Sequence, residues 1–349
     1  MTKKVYVGMS GGVDSSVAAA LLQDQGYDVT GVYMKNWTTN VAGYTCSWQT
    51  DFQDAKRVAV QLGIPIKVYD FETQYRQRVV DIMLKEYKAG RTPNPDILCN
   101  QEIKFKLFLD MALKDGADMI ATGHYAQVKN GKLFKAIDGN KDQTYFLYRV
   151  TTVALQKTIM PLGALTKPQV RIIAKQKKLA TALKKDSQGI CFIGEIPIAE
   201  FLIAELGQQS PGPIIDQHGK QVGTHDGAIL YTIGQRHGFR VGGGLPYYVT
   251  GKHVGRNELY VTSDLQDEAL WKNNLEIVDT HWINGAPDNK HHYSVCVRYR
   301  SEPVGVDKIQ KLATNHFRLA LTEDVKAVTP GQSAVIYCRN RCVGGGLIV

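Results

Sequence analysis

Long apolar runs are missing from this chain of 349 residues. None of its apolar stretches approaches the roughly 20 residues that a membrane-spanning helix requires. The first predicted strand is not preceded by the basic and apolar regions of a secretory leader. We therefore expect no contact with a membrane and a location in the cytoplasm.

Cysteine is also scarce. Six cysteines are too few for a disulfide scaffold in a chain of this length, and none forms a C-x-x-C pair. Structural or catalytic thiols are therefore favoured over bridges. Cys46 receives no role, and a zinc site at Cys338 and Cys342 would need two further ligands that the sequence does not indicate.

Acidic residues are outnumbered by basic ones. The chain has 42 Lys and Arg against 33 Asp and Glu, a net charge of +9. This balance favours a polyanionic partner, and nucleic acid explains it better than a nucleotide alone. The length and the 44% hydrophobic content allow two or three domains.

A glycine-rich stretch, GMSGGVDSS at residues 8–16, follows a predicted strand at Lys4–Met9 and precedes a predicted helix at Ser15–Gln25. Such a turn directs backbone N–H groups and a helix N-terminus at one point, which suits a phosphate. No Lys follows the glycines as it does in a P-loop, so ordinary handling of β- and γ-phosphates is not indicated. A glycine-rich helix entry without a ligand is the alternative.

The SGG-x-DS pattern resembles the pyrophosphate loop of N-type ATP pyrophosphatases (PP-loop enzymes), which cleave ATP between its α- and β-phosphates. The resemblance implies that Asp14 holds Mg²⁺ with the ATP and that Ser10 and Ser15 donate hydroxyls to phosphate oxygens. The implied ATP-binding residues are Gly8, Met9, Ser10, Gly11, Gly12, Val13, Asp14, Ser15, Met34 and Gly123.

The N-terminal part alternates strands and helices, which predicts an α/β fold with a doubly wound parallel sheet. Further strands are predicted at Val29–Met34, Ile66–Phe71 and Ala117–Thr122, with helices at 50–62, 75–89 and 105–114. Ligands of such sheets bind beyond the carboxyl ends of the strands, where the glycine loop, Met34 and Gly123 would lie. Met34 could equally be an ordinary apolar residue at a strand end.

Two later segments carry an acid and two thiols. In Arg91–Asn100 (RTPNPDILCN), two prolines around Asn94 predict a stiff, non-helical loop that presents Asp96 and Cys99. A stiff loop that carries an acid and a thiol indicates chemistry. Cys191 lies beside Gly189 in a second predicted loop, KDSQGICF.

Several separated stretches together resemble the tRNA-specific 2-thiouridylase family, and they span residues 5–349 in the family's order. The stretches are GMSGGVDSSV, GRTPNPDILCNQEIKF, ATGHYA, KDQTYFL, KKDSQGICFIGE, YTIGQRHG and the terminal TPGQ with VGGGLIV. The resemblance implies a PP-loop catalytic domain at residues 1–207, a small β-rich central domain at 208–268 and a C-terminal β-barrel at 269–349.

The same resemblance implies the activity. ATP converts the C2 oxygen of the wobble uridine, position 34 of the anticodon, into an adenylate, and sulfur replaces it to give 2-thiouridine, AMP and pyrophosphate. Cys191 would carry the sulfur as a persulfide, Cys99 would release it and leave a transient disulfide, and Asp96 would move a proton. Direct attack by the persulfide uses the same residues and stays open. Asn94, Pro95 and Asp96 would hold the extruded base.

Partners follow from the resemblance as well. They are the anticodon stem-loop of tRNA and a sulfur-donor protein, either a cysteine desulfurase or a relay protein, with ATP and Mg²⁺ and no permanently bound cofactor. The implied tRNA contacts are His124, Lys141, Asp142, Gln143, Arg298, Tyr299 and Gln332.

A basic run adds to these contacts. Residues 166–185 contain seven Lys and Arg and no acid, which favours tRNA contact over a solvated helix face. The basic residues are Lys167, Arg171, Lys175, Lys177, Lys178, Lys184 and Lys185.

The second half of the chain is predicted to be rich in short strands. After a linker at Ser210–Pro213, we expect a small β-rich central unit, in which His237 is a surface residue and not a metal ligand. Its predicted strands are 213–216, 225–232, 247–251 and 258–262, and those of the barrel are 276–282, 293–300, 316–321 and 334–337. A hairpin at Val128–Ile137, turned at Asn130-Gly131, belongs to the first domain.

Two other functions stay open. A different PP-loop enzyme, such as an amide-forming synthetase, would use the same glycine loop but would not need Cys99 and Cys191. A non-catalytic RNA-binding module would explain the positive charge but would give the glycine loop no function.

Overall fold

The computed structural model describes residues 2–186, 194, 196–241, 246–288 and 290–349. Cys191, with the rest of the motif around it from Ser187 to Ile193, lies outside the described residues.

A five-stranded parallel sheet forms the N-terminal unit, in the order β3-β2-β1-β4-β7. Val5 and Val7 of its central strand are fully buried, as expected for a strand covered by helices on both faces. The strands are β1 (Lys4–Gly8), β2 (Asp28–Lys35), β3 (Ile66–Asp70), β4 (Met119–Ala121) and β7 (Thr158–Ile159). The predicted doubly wound sheet is confirmed, although the two-residue β7 was not predicted.

The helices of this unit follow the predicted alternation. They are α1 (Val13–Asp24), α2 (Trp48–Leu62), α3 (Glu72–Tyr75), α4 (Asp81–Lys88), α5 (Pro95–Leu98), α6 (Phe108–Lys114), α7 (Thr152–Gln156), α8 (Lys167–Gln176) and α9 (Ile198–Leu206). A π-helical segment, Arg76–Val80, joins α3 to α4, and a second, Cys99–Leu107, joins α5 to α6. Short 3₁₀ turns lie at Thr144–Leu147 and Pro161–Ala164.

The non-helical loop predicted for Arg91–Asn100 is wrong beyond Asn94. The helix begins at Pro95, because Asn94 is its N-cap and accepts hydrogen bonds from the backbone N–H groups of Asp96 and Ile97 at 3.1 and 3.4 Å. Proline at the first helical position lacks an N–H that would be unpaired there anyway. Asp96 and Cys99 are therefore held on a helix instead of a loop.

The central unit is a five-stranded sheet in the order β10-β9-β8-β12-β11. Its strands are β8 (Gly212–Ile215), β9 (Gln221–His225), β10 (Arg240–Val241), β11 (Tyr248–His253) and β12 (Glu258–Thr262). The strand predicted at 225–232 is wrong: β9 ends at His225, and Ala228–Leu230 forms a 3₁₀ turn after Gly227, whose φ is +123°. Another 3₁₀ turn, Val254–Arg256, connects β11 to β12.

Six antiparallel strands close into the C-terminal barrel through pairing of the first strand with the last. They are β13 (Trp271–Trp282), β14 (Tyr293–Cys296), β15 (Val304–Ala313), β16 (His316–Lys326), β17 (Ser333–Cys338) and β18 (Arg341–Ile348). Strands β15 and β18 were not predicted, and β14 ends at Cys296 because the chain turns through Arg300, whose φ is +61°. A 3₁₀ turn, Glu268–Leu270, precedes the barrel.

The predicted hairpin has the expected turn and an additional role. Strands β5 (Ala126–Lys129) and β6 (Lys132–Lys135) join at Asn130 and Gly131, both with positive φ. Such values match a type I′ turn. Strand β6 also pairs with β18, so the hairpin extends the barrel sheet and fixes the barrel to the N-terminal unit, which is the predicted catalytic unit.

Among the residues that the structure describes, no helix has the length and apolar character needed to cross a membrane.

Candidate active site

A cleft of about 480 Å³ opens at the carboxyl ends of β1, β2 and β4. It brings together residues that lie far apart in the sequence, including most of those predicted to bind ATP, the base or tRNA. The predicted residues that line it are Gly8, Ser10, Val13, Asp14, Ser15, Met34, Asp96, Gly123, His124, Lys141, Gln143 and Tyr299.

The glycine loop packs tightly at the start of α1. Gly11 has a φ of +75°, and a Cβ there would overlap the carbonyl oxygen of Asp51. A Cβ on Gly123 would lie 2.7 Å from the backbone nitrogen of Ser15, so β4 also approaches the loop closely. Both positions therefore require glycine. Because these positions carry no side chain, the backbone of the loop can approach a ligand in the cleft closely.

The serines of the loop bond to one another and to its backbone. The Ser15 hydroxyl accepts a hydrogen bond from the Ser10 N–H at 3.2 Å and donates one to the Gly12 carbonyl at 3.2 Å. The Ser10 and Ser15 hydroxyl oxygens lie 3.3 Å apart. The Met9 side chain is fully buried, with its sulfur packed against Gly31. Ser10 and Ser15 are thus placed on the cleft, and Met9 points its side chain into the core.

Asp14 has a cationic partner that the sequence did not reveal. Lys167, at the start of α8, places its Nζ 2.7 and 2.8 Å from the two carboxylate oxygens of Asp14. The hydroxyl of Tyr125 donates to the same carboxylate at 2.8 Å. The separation of 153 residues between Asp14 and Lys167 left no local signal. The fold therefore supplies from α8 a lysine that the glycine loop lacks.

Asp186 collects three basic side chains at the edge of the cleft. It pairs with Lys141 at 2.7 Å, Lys167 at 2.8 Å and Arg171 at 2.6 Å. Burial alone would raise the pKa of this carboxyl, but hydrogen bonds from Lys141 and Lys167 outweigh burial and hold the pKa well below its usual range. Asp186 is therefore ionised at neutral pH and keeps the three cations together.

Much of the basic run predicted to contact tRNA is neutralised by acids from other segments. Besides the pairs with Asp14 and Asp186, Lys177 pairs with Asp24, and Lys184 pairs with Asp51 and Asp54. The run contains no acid along the sequence, but four of its seven basic residues, Lys167, Arg171, Lys177 and Lys184, pair with acids in the folded chain. Lys175, Lys178 and Lys185 are exposed. Contact of this surface with tRNA stays a prediction.

Asp96, Asn100 and Lys104 follow one another at intervals of four residues, and all three line the cleft. This spacing places side chains on one helix face. Cys99 is fully buried, within the apolar core beside this helix. Its predicted partner Cys191 lies outside the described residues, so their disulfide exchange stays a prediction. The described cysteines, Cys46, Cys99, Cys296, Cys338 and Cys342, are thiols.

Two buried amide side chains in the cleft have polar atoms without a partner. Asn36, after β2, is 1% exposed, and both polar atoms of its amide lack a hydrogen-bond partner among the described residues. Asn100 is 2% exposed, and its Oδ1 lacks one in the same part of the chain. Buried polar atoms are nearly always paired. Neither residue was singled out in the sequence, because an isolated asparagine gives no signal.

Aromatic rings form one wall of the cleft. The rings of Phe146 and Tyr299 lie 4.4 Å apart, and the Arg300 guanidinium lies 5.0 Å from the centre of the Tyr299 ring. Such a set of rings and cations suits stacking with a base and contact with a phosphate. Tyr299 was predicted from the sequence, and Phe146 was not.

His124 is buried in the cleft and packs its ring 5.6 Å from that of Phe105. Burial, together with the nearby Lys104, holds the pKa of His124 well below its usual range. Its Nδ1 lies 2.8 Å from the Thr122 hydroxyl oxygen. At neutral pH the ring is therefore uncharged and can offer a ligand only a neutral hydrogen bond.

The comparisons with known proteins cover the whole chain. A sequence profile described as a tRNA methyl transferase HUP domain matches residues 3–195, a tRNA methyl transferase PRC-barrel domain matches 199–263, and an aminomethyltransferase beta-barrel domain matches 272–348. A tRNA-specific 2-thiouridylase MnmA of Polynucleobacter asymbioticus is 48% identical over 356 residues, which cover 99% of this chain and 96% of the relative. The chain belongs to the tRNA-specific 2-thiouridylase family.

Other relatives with the same name agree. The protein of Geobacillus thermodenitrificans is 48% identical and that of Nitrosomonas eutropha 49% identical, each over 99% of this chain and over 94% and 98% of the relative. Family membership confirms the resemblance inferred from the motifs. The three-part architecture of parallel sheet, central β-rich unit and barrel is confirmed as well. The domain boundaries proposed from the sequence stay predictions.

Asp142, Arg298 and Gln332, which are predicted to contact tRNA, are not among the residues that line the cleft, and each has hydrogen-bond partners within the protein. Asp142 accepts hydrogen bonds from the Ala136 N–H at 2.8 Å and the Thr144 hydroxyl at 2.6 Å, and burial raises its pKa. Arg298 donates to the carbonyl oxygens of Ile233 and Ala327, both at 2.7 Å.

Gln332 likewise donates to the Thr92 carbonyl at 2.7 Å. The corresponding contacts of Asp142, Arg298 and Gln332 with tRNA stay predictions. Lys141 and Gln143 line the cleft, where Gln143 accepts a hydrogen bond from the Tyr125 N–H at 2.9 Å.

A magnesium ion would depend on the nucleotide for most of its ligands. The described residues contain no group of three or more His, Cys, Asp or Glu side chains placed to hold a metal. Asp14 supplies one carboxylate in the cleft. This donor set suits Mg²⁺ that arrives with phosphates, because Mg²⁺ commonly takes one or two carboxylates and completes its shell with phosphate oxygens and water.

Proposed function

We propose that this chain is a tRNA sulfurtransferase that converts the wobble uridine, position 34 of the anticodon, into 2-thiouridine with ATP. One observation carries the proposal: a single cleft is lined both by the pyrophosphate loop, with Ser10, Asp14 and Ser15, and by Asp96 of the base-binding motif. Full-length similarity to proteins named tRNA-specific 2-thiouridylases supports it.

Activation is the first step. The C2 oxygen of uracil attacks the α-phosphorus of ATP, the bond to the β-phosphate breaks, and pyrophosphate leaves from the loop at Gly8–Ser15. Mg²⁺ would be held by Asp14 and would neutralise charge on the phosphates. Lys167 can then turn from Asp14 to the departing pyrophosphate and supply the positive charge that a P-loop lysine supplies elsewhere. Asp96 exchanges a proton with the base.

Sulfur transfer is the second step. The Cys99 thiolate attacks Sγ of the Cys191 persulfide, the sulfur–sulfur bond of the persulfide breaks, and hydrosulfide leaves. Hydrosulfide adds to C2 and AMP departs. Alternatively, the terminal sulfur of the persulfide attacks C2 directly and AMP departs, and Cys99 then attacks Cys191 Sγ, breaks the sulfur–sulfur bond and frees the thiocarbonyl. Both routes leave a Cys99–Cys191 disulfide, which an external thiol reductant must reduce before the next turnover.

The partners follow from this chemistry. The target uracil must leave the anticodon stack to reach the cleft, so the anticodon stem-loop is the part of tRNA that binds there. A persulfide on Cys191 requires a sulfur-donor protein, a cysteine desulfurase or a relay protein. A tRNA substrate and a thiol that cycles through its reduced form support the expected location in the cytoplasm.

The experiment that tests this function follows the two steps separately. We expect the wild-type chain to form AMP and pyrophosphate from ATP only with tRNA that lacks the modification. In Cys191→Ser, we expect this formation to persist while thiolation is abolished. Normal thiolation by that variant would remove Cys191 from the mechanism. AMP formation driven by a small amine would instead indicate an amide-forming synthetase, and no AMP formation at all would indicate an RNA-binding module.

A further inference from the structure

Asn100 is a buried side chain with one unpaired polar atom that lies in the cleft. Its Nδ2 donates a hydrogen bond to the Phe146 carbonyl at 3.1 Å, whereas its Oδ1 has no hydrogen-bond partner within the described part of the chain. Leaving a buried acceptor unpaired carries a free-energy cost. A ligand that donates to Oδ1 would remove this cost.

The bond to Phe146 fixes which atom of the amide faces the ligand. Rotating the amide by 180° would set Oδ1 against the Phe146 carbonyl oxygen, and two acceptors repel each other. Asn100 can therefore accept a hydrogen bond from a ligand but cannot exchange the roles of its two atoms. A ligand group opposite Oδ1 must be a donor.

The surroundings of Asn100 indicate which ligand that is. Asn100 lies four residues after Asp96 on the same helix, and its partner Phe146 belongs to the aromatic wall with Tyr299. A flat base stacked on this wall would carry its ring edge towards the helix. In uracil, the donor next to the reacting C2 oxygen is N3–H, whereas cytosine has a lone pair at N3.

We propose that Oδ1 of Asn100 accepts a hydrogen bond from N3–H of the target uracil and so selects uridine over cytidine. This inference rests on the proposed thiolation of uridine. Asn100 orients the base, and Asp96 is the group that moves a proton. A cytosine in the same place would set its N3 lone pair against Oδ1 and leave the buried oxygen unpaired.

The test compares two anticodon stem-loop RNAs, with uridine or cytidine at position 34, in single-turnover AMP formation. Wild type should prefer uridine by about 100-fold or more, because a site that pairs a buried polar group rejects an analogue that leaves it unpaired. Asn100→Ala should lose about 10- to 100-fold in kcat/KM on the uridine RNA alone. Its KM for ATP should not change.

Two further variants keep the result interpretable. Asn100→Gln retains both the amide oxygen and the amide N–H, so the preference for uridine should survive in it even if Asn100→Ala does not fold. The neighbouring Gln101, whose amide bonds to Glu102 and Arg149, serves as a matched control, and Gln101→Ala should keep the wild-type preference.

Equal losses on both RNAs in Asn100→Ala would reduce Asn100 to a structural residue and overturn the inference. A raised KM for ATP with the preference for uridine intact would assign Oδ1 to adenine and overturn it as well. If wild type forms 2-thiouridine but Asn100→Ala keeps the wild-type preference for uridine over cytidine, the inference is wrong and the proposed function stands. If wild type forms no 2-thiouridine, the proposed function fails with it.

Discussion

Lys167 is the residue whose position most changes the interpretation of the glycine loop. Its bonds to Asp14 place a positive charge where pyrophosphate would leave. We expect Lys167→Met to reduce tRNA-dependent formation of AMP by about 100-fold or more, because a positioned cation at a developing charge contributes on that scale. The measurement is the release of pyrophosphate under saturating ATP.

Lys175 on the same helix provides the control. It is exposed and lies eight residues beyond Lys167. Lys175→Met should leave the rate of AMP formation unchanged. If Lys167→Met keeps the wild-type rate, Lys167 pairs with Asp14 but takes no part in the departure of pyrophosphate.

Lys252 in the central sheet gives a prediction of pH dependence. Burial lowers the pKa of Lys252 to about 8, and its Nζ donates to the Tyr231 carbonyl at 2.6 Å. The unfolded chain keeps a lysine pKa of about 10.4, so it binds more protons than the folded chain between about pH 8 and pH 10.4. Stability attributable to this residue should therefore rise with pH across that range.

Lys252→Met should lack this rise, because the variant has no amine to titrate at that position. The difference in melting temperature between wild type and variant, followed from pH 7 to pH 10, measures the effect. A constant difference across that range would show that the amine titrates alike in the folded and unfolded chains.

Among the elements, the helix that begins at Pro95 depends on its cap. Asn94→Ala removes the acceptor for the N–H groups of Asp96 and Ile97 and should lower the free energy of unfolding by about 1 kcal/mol. Asn94→Asp retains a capping oxygen and should remain close to wild type. Denaturant unfolding compares the three proteins, and equal losses in both variants would mean that the cap contributes little.

The same helix shows where prediction from sequence reached its limit. Prolines at positions 93 and 95 suggested a loop, yet Pro95 at the first helical position is compatible with a helix once Asn94 caps it. Strand β15 was missed for a different reason: in its sequence, VGVDKIQKLA, the polar residues stand in adjacent pairs, DK and QK, so it lacks the alternation of a half-buried strand. The buried strands β1 and β2 were predicted because each carries a short apolar run, VYV in β1 and VYM in β2.

In the candidate site, the glycine loop, Asp96 and Tyr299 could be predicted because motifs identify them. Lys167, Asn36 and Asn100 could not, because their roles depend on contacts between segments that the sequence does not connect. Lys167 was read as one member of a basic run, and its pairing with Asp14 became visible only in three dimensions.

At the scale of the whole molecule, we expect two neighbouring arginines to differ in role, with Arg298 stabilising the fold and Arg300 contacting RNA. Arg298 donates to Ile233 in the central unit and to Ala327 and Thr329 in the barrel. Arg298→Met would leave these acceptors unpaired and should lower the free energy of unfolding by about 2–3 kcal/mol. Denaturant unfolding of the full chain measures this loss.

Arg300 is the matched comparison, since it is exposed and lies over the Tyr299 ring at the cleft. Arg300→Met should keep wild-type stability, weaken binding of tRNA and reduce the salt dependence of that binding by about one unit of slope. The opposite pattern, with unfolding unchanged and the salt slope reduced in Arg298→Met, would place Arg298 on a phosphate.

In the whole assembly, the glycine loop of the N-terminal unit and an aromatic wall that includes Tyr299 of the barrel line one cleft. The pairing of β6 with β18 joins the catalytic unit to the barrel, and Tyr299 of the barrel lies against Phe146 of the catalytic unit. The barrel therefore contributes to the site. We expect the catalytic unit without the barrel to bind ATP but to lose thiolation of tRNA.

Mass analysis of the wobble nucleoside tests the central claim most directly. The chain is incubated with ATP, Mg²⁺, unmodified tRNA, a sulfur donor and a thiol reductant, and the tRNA is then digested to nucleosides. We predict 2-thiouridine at position 34, with one AMP and one pyrophosphate formed for each sulfur inserted. AMP formation with no sulfur in the tRNA, or sulfur at another position, would contradict it.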